Sequence, residues 1–262
     1  MVDATALTAV RIAQGRLMHA LRAEGASPWQ LHHLGVCSST ETVLTQWLHQ
    51  QPWLARQPRA VLAQHQRFAH GQYGRFWMAP PGGIWLSAAL PWPHGEPSTG
   101  LFGLTVALAL AEQLERYGVS AAIKWPNDLI VGSRKLAGVL PKLVFRGHHV
   151  RLARIGVGLN VRNPVPQGGI ALRELLPPGR CRLRLWQLNA LLALERASAL
   201  AADPQRVVTA AEQRLWSTSI ADPVSGEHWA VRGIGLDGQL LLGHGTRTTS
   251  WTRWGDSSGR NL

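Results

Sequence analysis

Residues 124–140 read KWPNDLIVGSRKLAGVL, two apolar runs of strand length separated by the tight turn Gly132-Ser133-Arg134. Apolar and β-branched residues suit a pleated, half-buried surface, and a glycine-led turn folds the chain back on itself. Antiparallel pairing follows, because a parallel pair would need a crossover of a dozen residues or more. On the N-terminal side, Pro126 fixes its own φ and biases Trp125 towards an extended conformation, so the turn offering Asn127 and Asp128 beside Lys124 is preset. By itself such a turn is ordinary chain-reversal chemistry. Lys135 opens an otherwise apolar strand. It is either a snorkelling lysine at a strand end or a partly shielded cation that would attract carboxylate or phosphate.

Around this stretch the periodicity predicts strands over 60–66, 84–90, 121–125, 129–131, 135–145 and 150–161. Helices are expected over 5–24, 42–50, 101–117, 185–201 and 204–215. Ser38, Ser39 or Thr40 would cap the second, and Ser98 or Thr99 the third, which would also hold an internal Glu112–Arg116 pair and stop at Gly118. The interval around Pro28 reads as loop. Beyond Trp216 short strands at 227–234, 240–243 and 246–251 are separated by Asp237-Gly238 and Gly243-His244-Gly245. A β-rich appendage of about 45 residues is small for independent folding and should dock on the rest, dividing the chain into 1–216 and 217–262. No internal repeat or low-complexity tract interrupts it.

Composition narrows the function classes. Charged or Pro/Gly-containing stretches break every apolar run before the roughly 20 residues that a membrane helix needs. Residues 1–14, with Asp3 and Arg11, lack the basic start, apolar block and cleavage site of a signal peptide. Cys37 and Cys181 are far apart and have no metal-ligand spacing, so neither a disulfide framework nor a zinc site is expected and a reducing, cytoplasmic setting fits. The 27 basic residues against 15 acidic ones give +12. That invites a basic nucleic-acid-binding module as one reading. However, the arginines are scattered and no nucleic-acid motif is present, so specific DNA binding is not expected. Of the 27 basic residues only Lys124, Lys135 and Lys142 are lysine. Lysine is a compact point charge and arginine a planar fork, so sites that need the former cannot use the latter. Chemistry is therefore sought between residues 124 and 142.

Two further stretches could carry a ligand. Between Gln66 and Trp77, Gly71 and Gly74 bracket a loop ending in Arg75, and glycines let backbone N–H groups curl around an anion. Residues 155–161 read IGVGLNV. Glycines weaken a strand unless something approaches its backbone closely, and Asn160 offers the paired donor and acceptor suited to an adenine edge. A bulge is the plainer reading.

Five strings taken together resemble biotin protein ligases in content, order and spacing: Ser39-Thr40, the glycine loop at 69–75, KWPND at 124–128, KLAGVL at 135–140 and GVGLN at 156–160. The resemblance runs from about Gly35 to Val161. It implies an α+β fold of class II synthetase type, a mixed and largely antiparallel sheet flanked by helices, with a small C-terminal SH3-like β-barrel. It also implies ATP-dependent activation of biotin to biotinyl-5'-AMP, then transfer to a lysine of a biotin carboxyl carrier protein, as in acetyl-CoA carboxylase. By the same resemblance Lys135, Arg75 and Asp128 serve catalysis, while Ser39, Thr40, Gln66, His70, Gly71, Gln72, Lys135, Gly138 and Gly156 surround biotin. Gly74, Arg75, Trp77, Lys124, Asn127 and Asn160 lie towards the nucleotide. Magnesium would arrive on the ATP phosphates, with Asp128 able to orient it. A lipoate-type protein ligase shares this architecture and is the alternative enzyme.

Two departures stand out. The family loop usually reads GRGRRGR, and this chain has AHGQYGR at 69–75, so it is expected to hold the adenylate less tightly. Ser-Thr is usually followed by Asn, and here by Glu41, which alters one biotin contact. The stretch before Ser39 is too short for the helix-turn-helix domain of family members that act as repressors, so repression is not expected.

Overall fold

The computed structural model describes residues 4–51, 53, 57–92, 99–222 and 225–252. Its centre is a seven-stranded sheet in the order β1-β2-β3-β7-β6-β5-β4. The strands are β1 (Gln30–Cys37), β2 (Arg59–Gln66), β3 (Ile84–Leu90), β4 (Ala122–Lys124), β5 (Asp128–Val131), β6 (Arg134–Arg146) and β7 (His149–Leu159). Every neighbouring pair is antiparallel except β1 and β2, which run parallel. The helices are α1 (Ala4–Ala23), α2 (Thr40–Gln50), α3 (Phe102–Glu115), α4 (Leu183–Leu200) and α5 (Pro204–Glu212). A mixed, mostly antiparallel sheet flanked by helices is thus what the chain builds.

Strand periodicity explains how the two faces differ. Successive side chains point to opposite sides. Ala60 and Leu62 of β2, Ala88 and Leu90 of β3, and Ala153, Ile155 and Val157 of β7 enter one large core with α1, α3 and α4. Val61 and Ala89 face the other way, where they pack with Leu44 and Trp47 of α2. α2 shields only part of that second face. Next to it the sheet register aligns Ser87 with Gly156, Gly156 with Leu140, and Gly158 with Gly138. Small residues on this side leave space above the sheet.

The tail forms a separate four-stranded antiparallel sheet, β11-β10-β9-β8, from β8 (Ser219–Ala221), β9 (His228–Ile234), β10 (Leu240–His244) and β11 (Arg247–Trp251). It stands where the SH3-like barrel is expected. Trp125 Nε1 donates to Gly238 O at 2.9 Å, and Ile234 N donates to Glu212 Oε1 at 2.7 Å. Ile220, Ile234, Leu240, Leu242 and Trp251 join the same core as the large sheet, so apolar burial and these hydrogen bonds both fasten the tail.

Several expectations need correction. The interval after Pro28 is not loop but strand β1, and β8 was also not foreseen. The expected Glu112–Arg116 pair does not form, because Glu112 meets Arg196 of α4 at 3.3 Å and Arg116 donates to Gln113. Ser98 lies outside the described residues, and α3 starts from Leu101 without a side-chain cap. Gly118, at φ +84°, stops that helix as expected. Among the described residues no helix is long and apolar enough to cross a membrane.

Candidate active site

The space over the second face is a cavity of about 450 Å³. Its floor exists because three positions lack side chains. A methyl at Gly158 would lie 2.7 Å from the Trp77 ring, one at Gly138 would meet Lys135 Cε at 3.1 Å, and one at Gly156 would meet Leu140 Cβ at 3.3 Å. The glycines of the GVGLN strand are therefore explained by close approach of Trp77 and by clearance, and the strand carries no bulge there.

One end of the cavity is a finished hydrogen-bond network. Ser39 is the N-cap of α2, in extended backbone, and its Oγ accepts from Glu41 N at 3.2 Å. Gln66 Oε1 accepts from both Thr40 N at 2.7 Å and Thr40 Oγ1 at 3.0 Å. Thr40 Oγ1 in turn lies 2.8 Å from Ser87 Oγ. Ser87 is a polar residue that reading the chain did not single out, and its signal was a lone hydroxyl inside the apolar run IWLSAAL. Glu41 closes this end. Its Oε1 is buried without a hydrogen-bond partner, 3.3 Å from Arg154 Nη1 in ionic contact. Burial pushes the Glu41 carboxyl above its ordinary value, against the opposing charges of Arg154, Lys142 and His70.

The middle of the cavity holds the lysine. Lys135 Nζ lies 2.7 Å from Asp128 Oδ2 and 5.0 Å from the centre of the Trp77 ring. A carboxylate on one side and an aromatic face on the other fix the ammonium while leaving it partly open to the cavity. Residues 166–169 fold back to support it: Lys135 N donates to Gly168 O at 2.8 Å and Ile170 N donates to Lys135 O at 3.0 Å. This loop also lines the cavity and was not foreseen. Asn127 Nδ2 donates to Val139 O at 2.5 Å, and Asn160 Oδ1 accepts from Asn163 Nδ2 at 2.9 Å. Both amides thus hold the walls together in this structure.

The glycine loop forms the rim. Gly71 N donates to Arg75 O and Trp77 N to Ala69 O, so the loop closes as a tight reversal. Tyr73, at φ 57°, and Gly74, at φ 71°, both adopt the left-handed conformation. Tyr73 and Phe76 are exposed at 67% and 75%. Every sequence-derived candidate except Gly74 lines this one cavity: Ser39, Thr40, Gln66, His70, Gly71, Gln72, Arg75, Trp77, Lys124, Asn127, Asp128, Lys135, Gly138, Gly156 and Asn160. Gly74 shapes the reversal from outside the lining. Among the described residues no three His, Cys, Asp or Glu side chains cluster as a metal cage.

This arrangement has counterparts. Residues 34–160 match the model of the biotin/lipoate A/B protein ligase family. Among curated proteins, the chain is 32% identical over 123 residues to the bifunctional ligase/repressor BirA of Escherichia coli, covering 44% of this chain and 38% of that one. It is 32% identical over 121 residues to the biotin–[acetyl-CoA-carboxylase] ligase of Paracoccus denitrificans, covering 45% and 50% respectively. The matched stretches thus span half or less of these relatives. Among solved structures, the biotin protein ligase of Aquifex aeolicus in complex with biotin and ATP superposes with a TM-score of 0.67 at 20% identity, covering 89% of this chain and 99% of that one, which establishes the shared fold. Over residues 34–160 the chain is therefore similar to the biotin/lipoate A/B protein ligase family.

Proposed function

We propose that the protein is a biotin protein ligase, which forms biotinyl-5'-AMP from biotin and ATP and passes the biotinyl group to a lysine of a biotin carboxyl carrier protein in the cytoplasm. The observation that carries this reading is that Lys135 and the backbone of the 70–75 loop face one cavity whose other end is a wired polar pocket. A cavity of about 450 Å³ lies within the usual range for small-molecule sites.

The chemistry asks for this geometry. A carboxylate must attack the α-phosphate of ATP, and two anions repel unless cations and N–H donors screen them. Lys135 supplies a fixed ammonium beside that path, Arg75 a second cation at the rim, and the loop its N–H groups. Gln66, Thr40 and Ser39 hold the vitamin's ring end, so that its carboxylate is delivered to the middle of the cavity. Trp77, Lys124 and the wall held by Asn127 and Asn160 accommodate the nucleotide. Magnesium fits as an ion brought on the phosphates, with Asp128 the carboxylate in reach, and would add charge screening there. In the second half-reaction a carrier lysine amine attacks the acyl carbonyl of the mixed anhydride and AMP leaves. Ordering of the 70–75 loop excludes water from that step. The division at residues 216 and 217 belongs to the same reading, with the tail fastened beside the cavity through Trp125.

The test is incubation with labelled biotin, ATP and a biotin carboxyl carrier domain. Label should reach the carrier lysine only when ATP is present, and lipoate should neither compete nor label. Labelling by lipoate alone would reassign the enzyme to the lipoate branch of the family.

A further inference from the structure

The ring end of the cavity holds an acid where the resemblance leads one to expect asparagine. Glu41 sits on the first turn of α2 and lines the cavity. On the sheet below, Arg154 is the next residue on the same face of β7 as Gly156 and Gly158, so the charged pair forms the end wall of the space those glycines clear. Arg154 is nine-tenths buried and held from behind: its Nη1 donates to Thr45 Oγ1 at 2.6 Å, and Thr45 Oγ1 donates to Glu41 O at 2.8 Å. These bonds tie the guanidinium to the first turn of α2, and the ion pair at 3.3 Å then sets where the Glu41 carboxylate stands. Glu41 Oε1 is the buried oxygen, held ionically by Arg154, while the side chain keeps 18% of its surface open and lines the cavity. An anionic acceptor at a cavity wall binds best to a donor that reaches it from the cavity. The complementary group on a ligand at this place is therefore an N–H.

Resting on the ligase reading above, we infer that Glu41 selects the substrate's head ring by accepting a hydrogen bond from a ring N–H, with Arg154 as the residue that positions it. A cyclic urea has such N–H groups, and a dithiolane ring has none. Other charged groups bear on Glu41: Lys142, which follows Leu140 on the same face of β6, and His70 on the rim loop. Together with Arg154 they keep the acid compatible with a neutral ring. They also make its charge the discriminating feature against ligands of different ring charge.

The discriminating probe is a pair of ligands of nearly one shape, biotin with its neutral cyclic urea and 2-iminobiotin with a cyclic guanidinium. Affinities for both are measured on the wild type, Glu41→Gln and Arg154→Gln, with thermal unfolding to establish that each variant is folded. Relative to wild type, Glu41→Gln should lower the iminobiotin-to-biotin affinity ratio at least about tenfold, the scale of one charge-assisted hydrogen bond in a shielded site. Arg154→Gln should shift the same ratio the other way, because it leaves the carboxylate uncompensated. The opposite signs keep the test alive if one variant fails to fold, since a purely structural pair would weaken both ligands alike. Unchanged ratios in folded variants that still bind biotin would overturn this inference and leave the ligase reading standing. A wild-type protein that binds neither ring would overturn the ligase reading itself.

Discussion

The two ends of the cavity are built on opposite plans. At the ring end, Ser39, Thr40, Gln66 and Ser87 are tied to one another across α2, β2 and β3, three elements of the packed fold. At the rim, residues 70–76 hold themselves by their own backbone bonds, expose two aromatic rings and place consecutive residues in the left-handed conformation. Preorganised groups meet a ligand at no further ordering cost, whereas a loop that must close loses conformational freedom when it does so. On the proposed function, the difference would give selection to the packed end and retention of the intermediate to the loop. Lys135 lies between them.

The largest effect should come at that junction. Lys135→Ala removes the fixed cation facing the developing anion, and by comparison with the loss of a single transition-state donor it should cut pyrophosphate release by about 100-fold or more. Its ion pair with Asp128 is partly exposed, so little thermal stability should go with it. Near-normal pyrophosphate release from a folded variant would remove Lys135 from the chemistry.

A smaller effect tests the packed end. Gln66→Leu strips Thr40 N and Oγ1 of their shared acceptor inside the fold, which should cost about 1–3 kcal/mol of stability and weaken biotin binding together. Loss of binding with unchanged stability would mean that the network serves the ligand alone. At the rim no single polar substitution should couple the two readouts in this way.

How much of this was legible follows the same division. The strings around Lys135 and the glycines of β7 were readable because glycine and lysine each do something that other residues cannot. Strand β1 was not readable. Its sequence, QLHHLGVC, carries two histidines mid-strand, and its place at the sheet edge beside β2 depends on α2 acting as the crossover between them. The 166–169 loop looks like any Pro-Gly turn, and nothing local says that it folds back onto Lys135. Glu41 was noticed as a departure, but Arg154 was not, because the partners lie on separate elements far apart in sequence. Glu112 shows the converse: a local pair was readable, and a tertiary partner on α4 took the carboxylate instead.

Protonation offers a milder test of the edge strand that supports the packed end. Burial lowers the His33 imidazole below its ordinary 6.5, and burial with Arg59 nearby lowers His32. The unfolded chain then binds more protons than the folded one once the pH drops below about 6.5. Stability present above that value should be lost as pH falls through it, with a slope of at most about 1.4 kcal/mol per pH unit for each proton. His33→Gln retains a polar group towards Gln187 on α4 and should flatten the acid side of the profile. An unchanged profile in that variant would remove His33 from the pH response.

The smallest effect belongs to the rim, and it has the most to say about the division of labour. Tyr73 holds φ 57° and ψ 28°, a conformation that costs a residue with a β-carbon roughly 1–2 kcal/mol, yet its ring is mostly exposed and gains little burial in return. Asparagine tolerates the left-handed region better. Tyr73→Asn should therefore raise stability by a few tenths up to about 1 kcal/mol, read as a small increase in the urea midpoint. If the backbone strain is kept because the ring covers a bound nucleotide, the same variant should release biotinyl-AMP faster while its affinity for biotin alone stays close to wild type. A rim whose substitution slowed release, or weakened biotin as much as the adenylate, would be part of the preorganised pocket, and the contrast between the two ends would be lost.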